Sequence, residues 1–246
     1  MGVLPKYIKA AIMVEQNKPL IVDNIKMPNE LNAGQVFVQI EVSGICGSQL
    51  GEISGVKGPD KYLPHLMGHE GCGRVLGIGP GVKSVKVGDK VVLHWRKGDG
   101  IQSDNPKYEW ENKVLNAGWV TTFNSHAIVS ENRCTRIDDE INSDLASLFG
   151  CAITTGFGVV ENNAKLKMGE SVVVLGAGGV GLNIIQACAL HSAYPIIAVD
   201  LFDDKLSLAK SLGATHLINS KTKNFFEEVK NIIGGNNLDV FIDNTG

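Results

Sequence analysis

Four residues of this chain have side chains suited to holding a metal ion: Cys46, His69, Glu70 and Cys151. Two thiolates and a neutral imidazole balance a divalent charge and leave a fourth tetrahedral position open, one of the known catalytic zinc sets. Each residue also has an ordinary explanation. Free cysteines are commonly buried as small apolar side chains, and His69 beside Glu70 could be a surface pair. No C-x-x-C or H-x-x-x-H spacing joins the four. A second constellation is contiguous: Gly176-Ala177-Gly178-Gly179-Val180-Gly181, followed by Asp200. In a G-x-G-x-x-G turn the first glycine permits the tight bend. The second lets the backbone approach a pyrophosphate, and the third lets the helix pack on the strand. The free N–H groups of the following helix, beginning around Gly179 and Val180, favour an anion. Asp200 can accept hydrogen bonds from ribose hydroxyls, and its charge would repel a 2′-phosphate, so NAD is favoured over NADP. The bland alternative is a glycine-rich strand–helix turn that holds no ligand. Lys205 either helps to hold the adenosine end or is a solvated helix lysine.

These groups need elements to position them. The first half of the chain is expected to be β. Runs rich in β-branched and aromatic residues fall at 7–14, 35–42, 73–78, 90–95 and 121–129, punctuated by Gly, Pro, Asn and Asp. Residues 96–117 are polar and irregular, as in a surface excursion. A helix is expected from Ser143 as N-cap, with Asp144 in its first turn. From residue 169 strand and helix alternate. Strands are expected at 171–175, 196–199, 216–218 and 240–242, and helices at 180–191, 203–212 and 224–233. That alternation means parallel strands joined by right-handed crossovers. The domain boundary is placed at 150/151, giving domains 1–150 and 151–246.

With 43% hydrophobic and 20% charged residues, the composition is that of a globular protein. A net charge of −3 gives no reason to expect nucleic acid or an anionic membrane as partner. No apolar run is as long as a bilayer span, and residues 1–10 lack the layout of a secretory signal. A cytoplasmic location is therefore expected. The five cysteines are too few and too scattered for a disulfide framework, so each is a buried apolar group or a ligand.

Taken together, several motifs resemble the zinc-dependent medium-chain alcohol dehydrogenases. Gly68-His69-Glu70-Gly71-Cys72-Gly73 followed by Gly79-Pro80-Gly81-Val82 resembles that family's zinc signature. Gly44-Ile45-Cys46-Gly47-Ser48 resembles its first-ligand motif, and Cys151 to Gly158 its last. Val87-Gly88-Asp89-Lys90-Val91 and the stretch 213–219 are similar to further landmarks, and the likeness runs from about Ile8 to the last residue. The resemblance implies a mixed α/β chain, with a β-rich GroES-like catalytic domain, then a doubly wound Rossmann domain, and the active site in the cleft between them. It implies Cys46, His69 and Cys151 as zinc ligands and Glu70 as a carboxylate able to visit the metal. It also implies Ser48 as first step of a proton relay and Thr155 near the nicotinamide. Trp95 and Phe123 would line the substrate pocket, although ordinary core packing would account for both.

Three departures from the family pattern stand out. Segment 96–119 contains no cysteine where the family often holds a structural zinc, so one catalytic zinc is expected. Gln49 stands in place of an aspartate that supports the ligand histidine; an amide raises ligand basicity less than a carboxylate does. Gly51 stands where many members have a histidine that passes the proton to solvent. In addition, only four of six Rossmann strands are foreseen. The chain is accordingly expected to be C-terminally truncated at Gly246, with strand four an uncovered edge.

The expected function is hydride transfer between a small-molecule alcohol, or aldehyde or ketone, and NAD. The complete protein is expected to be a homo-oligomer. Two alternatives remain at this level: a catalytically inactive zinc-binding chain, and a zinc-free reductase of quinones or alkenes on the same fold.

Overall fold

The computed structural model describes residues 4–235 and 237–245; Met1–Val3, Asn236 and the terminal Gly246 lie outside them. The chain divides into two compact units, Met1–Cys151 and Ala152–Gly246.

The first unit runs β1 (Tyr7–Met13), β2 (Ile21–Lys26), β3 (Gln35–Ser43), α1 (Gly47–Ile53), β4 (His65–Leu66), β5 (Gly71–Ile78) and β6 (Lys90–Leu93). It continues through β7 (Tyr108–Trp110), β8 (Lys113–Leu115), β9 (His126–Ser130), β10 (Cys134–Ile137) and α2 (Ser143–Leu148). Its strands form two five-stranded sheets, β4-β1-β2-β7-β8 and β10-β6-β5-β3-β9. In β1 the alternation of apolar residues points Ile8, Ala10 and Ile12 into a core shared with Ile25, Phe37 and Ile128. β2 was not foreseen, because its first four residues are all exposed and show no alternation.

Segment 96–117 differs from the expected irregular excursion. It contains the β7–β8 hairpin, and Tyr108, Trp110, Leu115 and Ala117 join the core. Two aromatic polar tips find partners there. The Tyr108 hydroxyl accepts from Ile128 N–H at 2.9 Å, and Trp110 Nε1 donates to Asp23 at 2.9 Å. Nearby, Glu131 is 2% exposed. Its Oε1 accepts from the N–H groups of Lys83 and Ser84 at 2.7 and 2.8 Å and from the Ser84 hydroxyl at 3.0 Å. Its Oε2 accepts from Ile101 N–H at 2.7 Å. Burial alone would raise its pKa, but these bonds outweigh it and hold the carboxyl below its ordinary range.

The strand expected at 121–129 is confined to His126–Ser130. Residues 121–124 are spent otherwise: the N–H groups of Thr122 and Phe123 both donate to Met67 carbonyl, at 3.0 and 3.1 Å. The cap of α2 also moves by one residue. Asn142, not Ser143, is the N-cap, its side chain accepting from Leu145 N–H at 3.0 Å.

The second unit opens with α3 (Ala152–Gly158), which passes into a π-helical turn at Val159–Ala164. β11 (Val172–Leu175), α4 (Gly179–Leu190), β12 (Ile196–Asp200), α5 (Asp203–Ser211), β13 (His216–Asn219), α6 (Phe225–Ile232) and β14 (Val240–Asp243) follow. The four strands are parallel in the order β13-β12-β11-β14. This is the 3-2-1-4 part of the dinucleotide-binding order. β11 is apolar throughout because both its faces are covered. Val172 and Val174 pack with Ile184, Ile185 and Leu206, and Val173 packs with Ile197, Ile218 and Phe225. No helix among the described residues is long and apolar enough to cross a membrane.

Candidate metal centre and nucleotide turn

Cys46 is the N-cap of α1, His69 lies between β4 and β5, and Cys151 follows α2. Despite their distance in sequence, one ligand atom from each lies within 4.8 Å of the other two. The two sulfurs are 3.9 Å apart. His69 Nε2 is buried with no hydrogen-bond partner, and so is the hydroxyl of Ser48. Burial, helped by the positive charge of Lys57, holds the His69 imidazole below its ordinary pKa, which favours the neutral form that ligates. Two thiols and an unpartnered ring nitrogen converging in this way fit a thiophilic metal such as zinc.

The other cysteines are different in kind. Cys72, Cys134 and Cys188 sit in apolar clusters, and burial raises all three thiols, Cys188 to about 12. They are core groups, not ligands.

Glycines bring the metal segments together. A Cβ on Gly44 would lie 2.8 Å from the Glu70 carboxyl carbon, and one on Gly68 would strike Thr122 and Phe123. A Cβ on Gly150 would meet the Leu93 carbonyl and the Glu70 backbone. Glu70 itself is 3% exposed, and its carboxylate lies outside the set of three converging donors. It is next to the metal residues in the chain, not one of the grouped atoms. Its carbonyl accepts from Gly44 N–H at 3.1 Å and from the hydroxyls of Ser43 and Thr122, both at 3.3 Å. Those two hydroxyls are 2.7 Å apart. Ser43 and Thr122 escaped the sequence reading because an isolated hydroxyl in a strand or loop carries no motif.

Of the two aromatics expected to line a pocket, Phe123 packs over Gly68, next to His69. Trp95 is 48% exposed beneath the Arg96 guanidinium, so core packing does not account for it. A cavity of about 520 Å³ is lined in part by His69, Gln49, Glu52, Tyr62, His65 and Lys107.

In the second unit Gly176 has φ +92°, open to glycine without strain. A Cβ on Gly181 would fall on the Gly176 carbonyl oxygen. Gly178 and Gly179 differ: a Cβ on either would meet nothing within 4 Å. The chain itself does not need them bare, so the turn leaves an open cradle at the N-terminus of the twelve-residue α4. Asp200 closes that turn. Its Oδ2 accepts from Ala177 N–H at 2.7 Å, and its Oδ1 from Leu201 and Phe202 N–H at 2.7 and 3.1 Å. Val180 is in the first turn of α4, and Thr155 is half-buried on α3. The Lys205 ammonium lies 5.0 Å from the centre of the Phe202 ring.

Comparison with known proteins places the chain in a family. Residues 32–139 match the alcohol dehydrogenase GroES-like domain, and residues 179–246 match the zinc-binding dehydrogenase family. The chain is 32% identical to an S-(hydroxymethyl)glutathione dehydrogenase of Paracoccus denitrificans over 91% of this chain and 66% of that protein. It is 34% identical to an alcohol dehydrogenase class-2 isozyme of Oryctolagus cuniculus over 88% of this chain and 64% of that one. It thus spans just under two thirds of each. Among solved structures, benzyl alcohol dehydrogenase from Acinetobacter calcoaceticus superposes with a TM-score of 0.85 at 30% identity, covering 98% of this chain and 71% of that one. The fold and the sequence are those of the medium-chain dehydrogenases. The chain belongs to the zinc-dependent medium-chain alcohol dehydrogenase family.

Proposed function

We propose that this chain carries the zinc and NAD sites of an alcohol dehydrogenase acting between an alcohol and its aldehyde or ketone. The observation that carries this reading is the convergence of Cys46, His69 and Cys151 around a buried, unpartnered Nε2. These three residues would hold zinc, which when bound supplies a Lewis acid that lowers an alcohol's pKa. NAD would supply the hydride acceptor. The chain's own residues bind and orient. Ser48, whose hydroxyl is buried and unpartnered, would take the alcohol proton while giving its own to the cofactor ribose, and Gly51 has no side chain to carry it onward to solvent. Gly178 and Gly179 admit the pyrophosphate to the N–H groups of α4. Asp200 has both oxygens engaged with backbone, yet a carboxylate offers about four acceptor sites. Three are taken by the N–H groups of Ala177, Leu201 and Phe202, so it holds the turn and still accepts from one ribose hydroxyl, favouring NAD over NADP.

One zinc per chain is expected. The second group of metal-binding type, Glu52, Asp60 and His65, is already paired internally, with His65 Nε2 2.9 Å from Asp60. Substrates are small alcohols or carbonyls, a homo-oligomer is the working assembly, and the location is cytoplasmic. The test is elemental analysis of the purified chain. One zinc is expected, and Cys46→Ser or His69→Ala should lose most of it. Two zinc ions, or full occupancy in either variant, would overturn the reading.

A further inference from the structure

The Gln49 side chain has two neighbours that make opposite demands on it. Its Oε1 accepts the Cys46 N–H at 2.9 Å, a bond that closes the N-terminus of α1. That bond fixes the amide's orientation, so Nε2, a pure donor, faces His69 Nδ1. Gln49 is 3% exposed. Facing a donor, Nδ1 must accept, and the proton of the neutral imidazole then sits on Nε2. Nε2 is the nitrogen left without a partner. A histidine that gives Nε2 to a metal carries its proton on Nδ1. Two donors would then point at each other across the Gln49–His69 contact.

We propose that metal entry is coupled to a turn of the Gln49 amide, which offers Oε1 to His69 Nδ1–H and withdraws it from Cys46 N–H. The proposal rests on the reading of Cys46, His69 and Cys151 as the metal site. The single amide oxygen serves either the helix cap or the ligand histidine. The cap is closed without metal and opens with it, so the metal binds less tightly than the donor set alone would allow. A carboxylate at position 49 has an acceptor for each donor, and both bonds form at once. Gln49 is therefore a positioning residue that sets metal affinity through His69.

The test uses this chain, stripped of metal and titrated with Zn²⁺ against a chromophoric chelator. Gln49→Glu should bind zinc about 10–100-fold more tightly than the wild type, the scale of outer-shell effects on metal affinity. Wild-type NMR gives a second readout that needs no variant. Metal-free His69 should be the Nε2–H tautomer, and zinc-loaded His69 the Nδ1–H tautomer. The Cys46 amide should exchange faster with zinc bound, relative to the amides of Ser48 and Gln49. An unchanged or slower Cys46 amide on zinc loading overturns the proposal, as does a folded Gln49→Glu chain whose affinity lies within twofold of wild type. A wild-type chain that takes up no zinc instead refutes the metal site itself.

Discussion

The metal cluster and the nucleotide turn both use bare glycines, but for different reasons. In the cluster the space beside Gly44, Gly68 and Gly150 is filled by Glu70, by Thr122 with Phe123, and by Leu93. Those glycines are demanded by the chain's own packing, and the donors are brought together before any ligand arrives. In the turn, Gly176 and Gly181 are demanded by the backbone, whereas Gly178 and Gly179 border open space. A glycine that the chain needs reports on folding. One that the chain does not need reports on what comes to bind.

Gly150→Ala should have the largest combined effect, on stability and on metal together. The new methyl meets a carbonyl oxygen and the Glu70 Cα at 2.6 Å, atoms that cannot swing aside. Overpacking typically costs about 1–3 kcal/mol, and here the upper end or more is expected. The neighbouring Cys151 should be displaced and zinc content should fall. Thermal unfolding and metal analysis of one preparation check both. A variant that keeps both its zinc and its melting temperature would show that the cluster is less preformed than its glycines imply.

Within the turn, Gly181→Ala puts its methyl directly on the Gly176 carbonyl oxygen, so a loss of stability at least as large, about 3 kcal/mol or more, is expected. Gly178→Ala should not destabilise in this way. Position 178 has φ −79° and ψ −171°, which alanine adopts readily, so a change within about 1 kcal/mol is expected, mainly from the poorer N-cap. Its penalty should appear in NAD affinity, weakened about tenfold or more, equivalent to about 1.4 kcal/mol. Calorimetric titration with NAD beside a urea melt separates the two. Equal NAD affinity in Gly178→Ala would mean that the open cradle is not where the pyrophosphate lies.

This contrast also sets what was legible in the sequence. The turn is local, so strand, glycines, helix and Asp200 could be placed from spacing alone, although the bonds from Asp200 to Ala177, Leu201 and Phe202 could not. The cluster draws on three distant segments with no shared spacing, so only the resemblance to a known family assembled it. The packing that supports it, Ser43 and Thr122 on the Glu70 carbonyl, left no pattern to find. β2 and the β7–β8 hairpin were missed for a related reason. Their placement depends on partners far along the chain, such as Asp23, which accepts from Trp110 Nε1, and outranks local composition.

Glu131 tests whether the first unit depends on a buried carboxylate in the way that the second depends on Asp200. Glu131→Gln turns an acceptor into a donor facing either Ile101 N–H or the Lys83–Ser84 pair. The expected loss is about 1–3 kcal/mol. The sign with pH follows from the lowered folded-state pKa. The carboxylate's stabilisation is complete above the unfolded value of about 4.3 and is lost as pH falls through the folded value. The gap between wild type and variant should therefore be widest near neutral pH and narrow below about pH 4. A gap that is constant down to pH 3 would remove the charge from the explanation.

The smallest effect compares one helix cap in each unit. Asn142 accepts from Leu145 N–H at 3.0 Å, and Asn224 accepts from Phe226 N–H at 3.1 Å. Loss of either cap to alanine should cost about 1 kcal/mol, so the two melts should be nearly alike. Their effect on zinc should differ. α2 is tied to the metal segment by a run of turn hydrogen bonds: Phe149 N–H to Ala146, Gly150 N–H to Ser147 and Cys151 N–H to Leu148, at 3.1, 3.0 and 3.4 Å. Fraying its first turn loosens the scaffold on which Cys151 is held. Among the described residues α6 has no such link: it packs on β13 and the sheet core of the second unit. Zinc release to excess chelator should be faster in Asn142→Ala and unchanged in Asn224→Ala. Equal release rates in the two would mean that Gly150 packed on Leu93 and Glu70, rather than α2, fixes the third ligand.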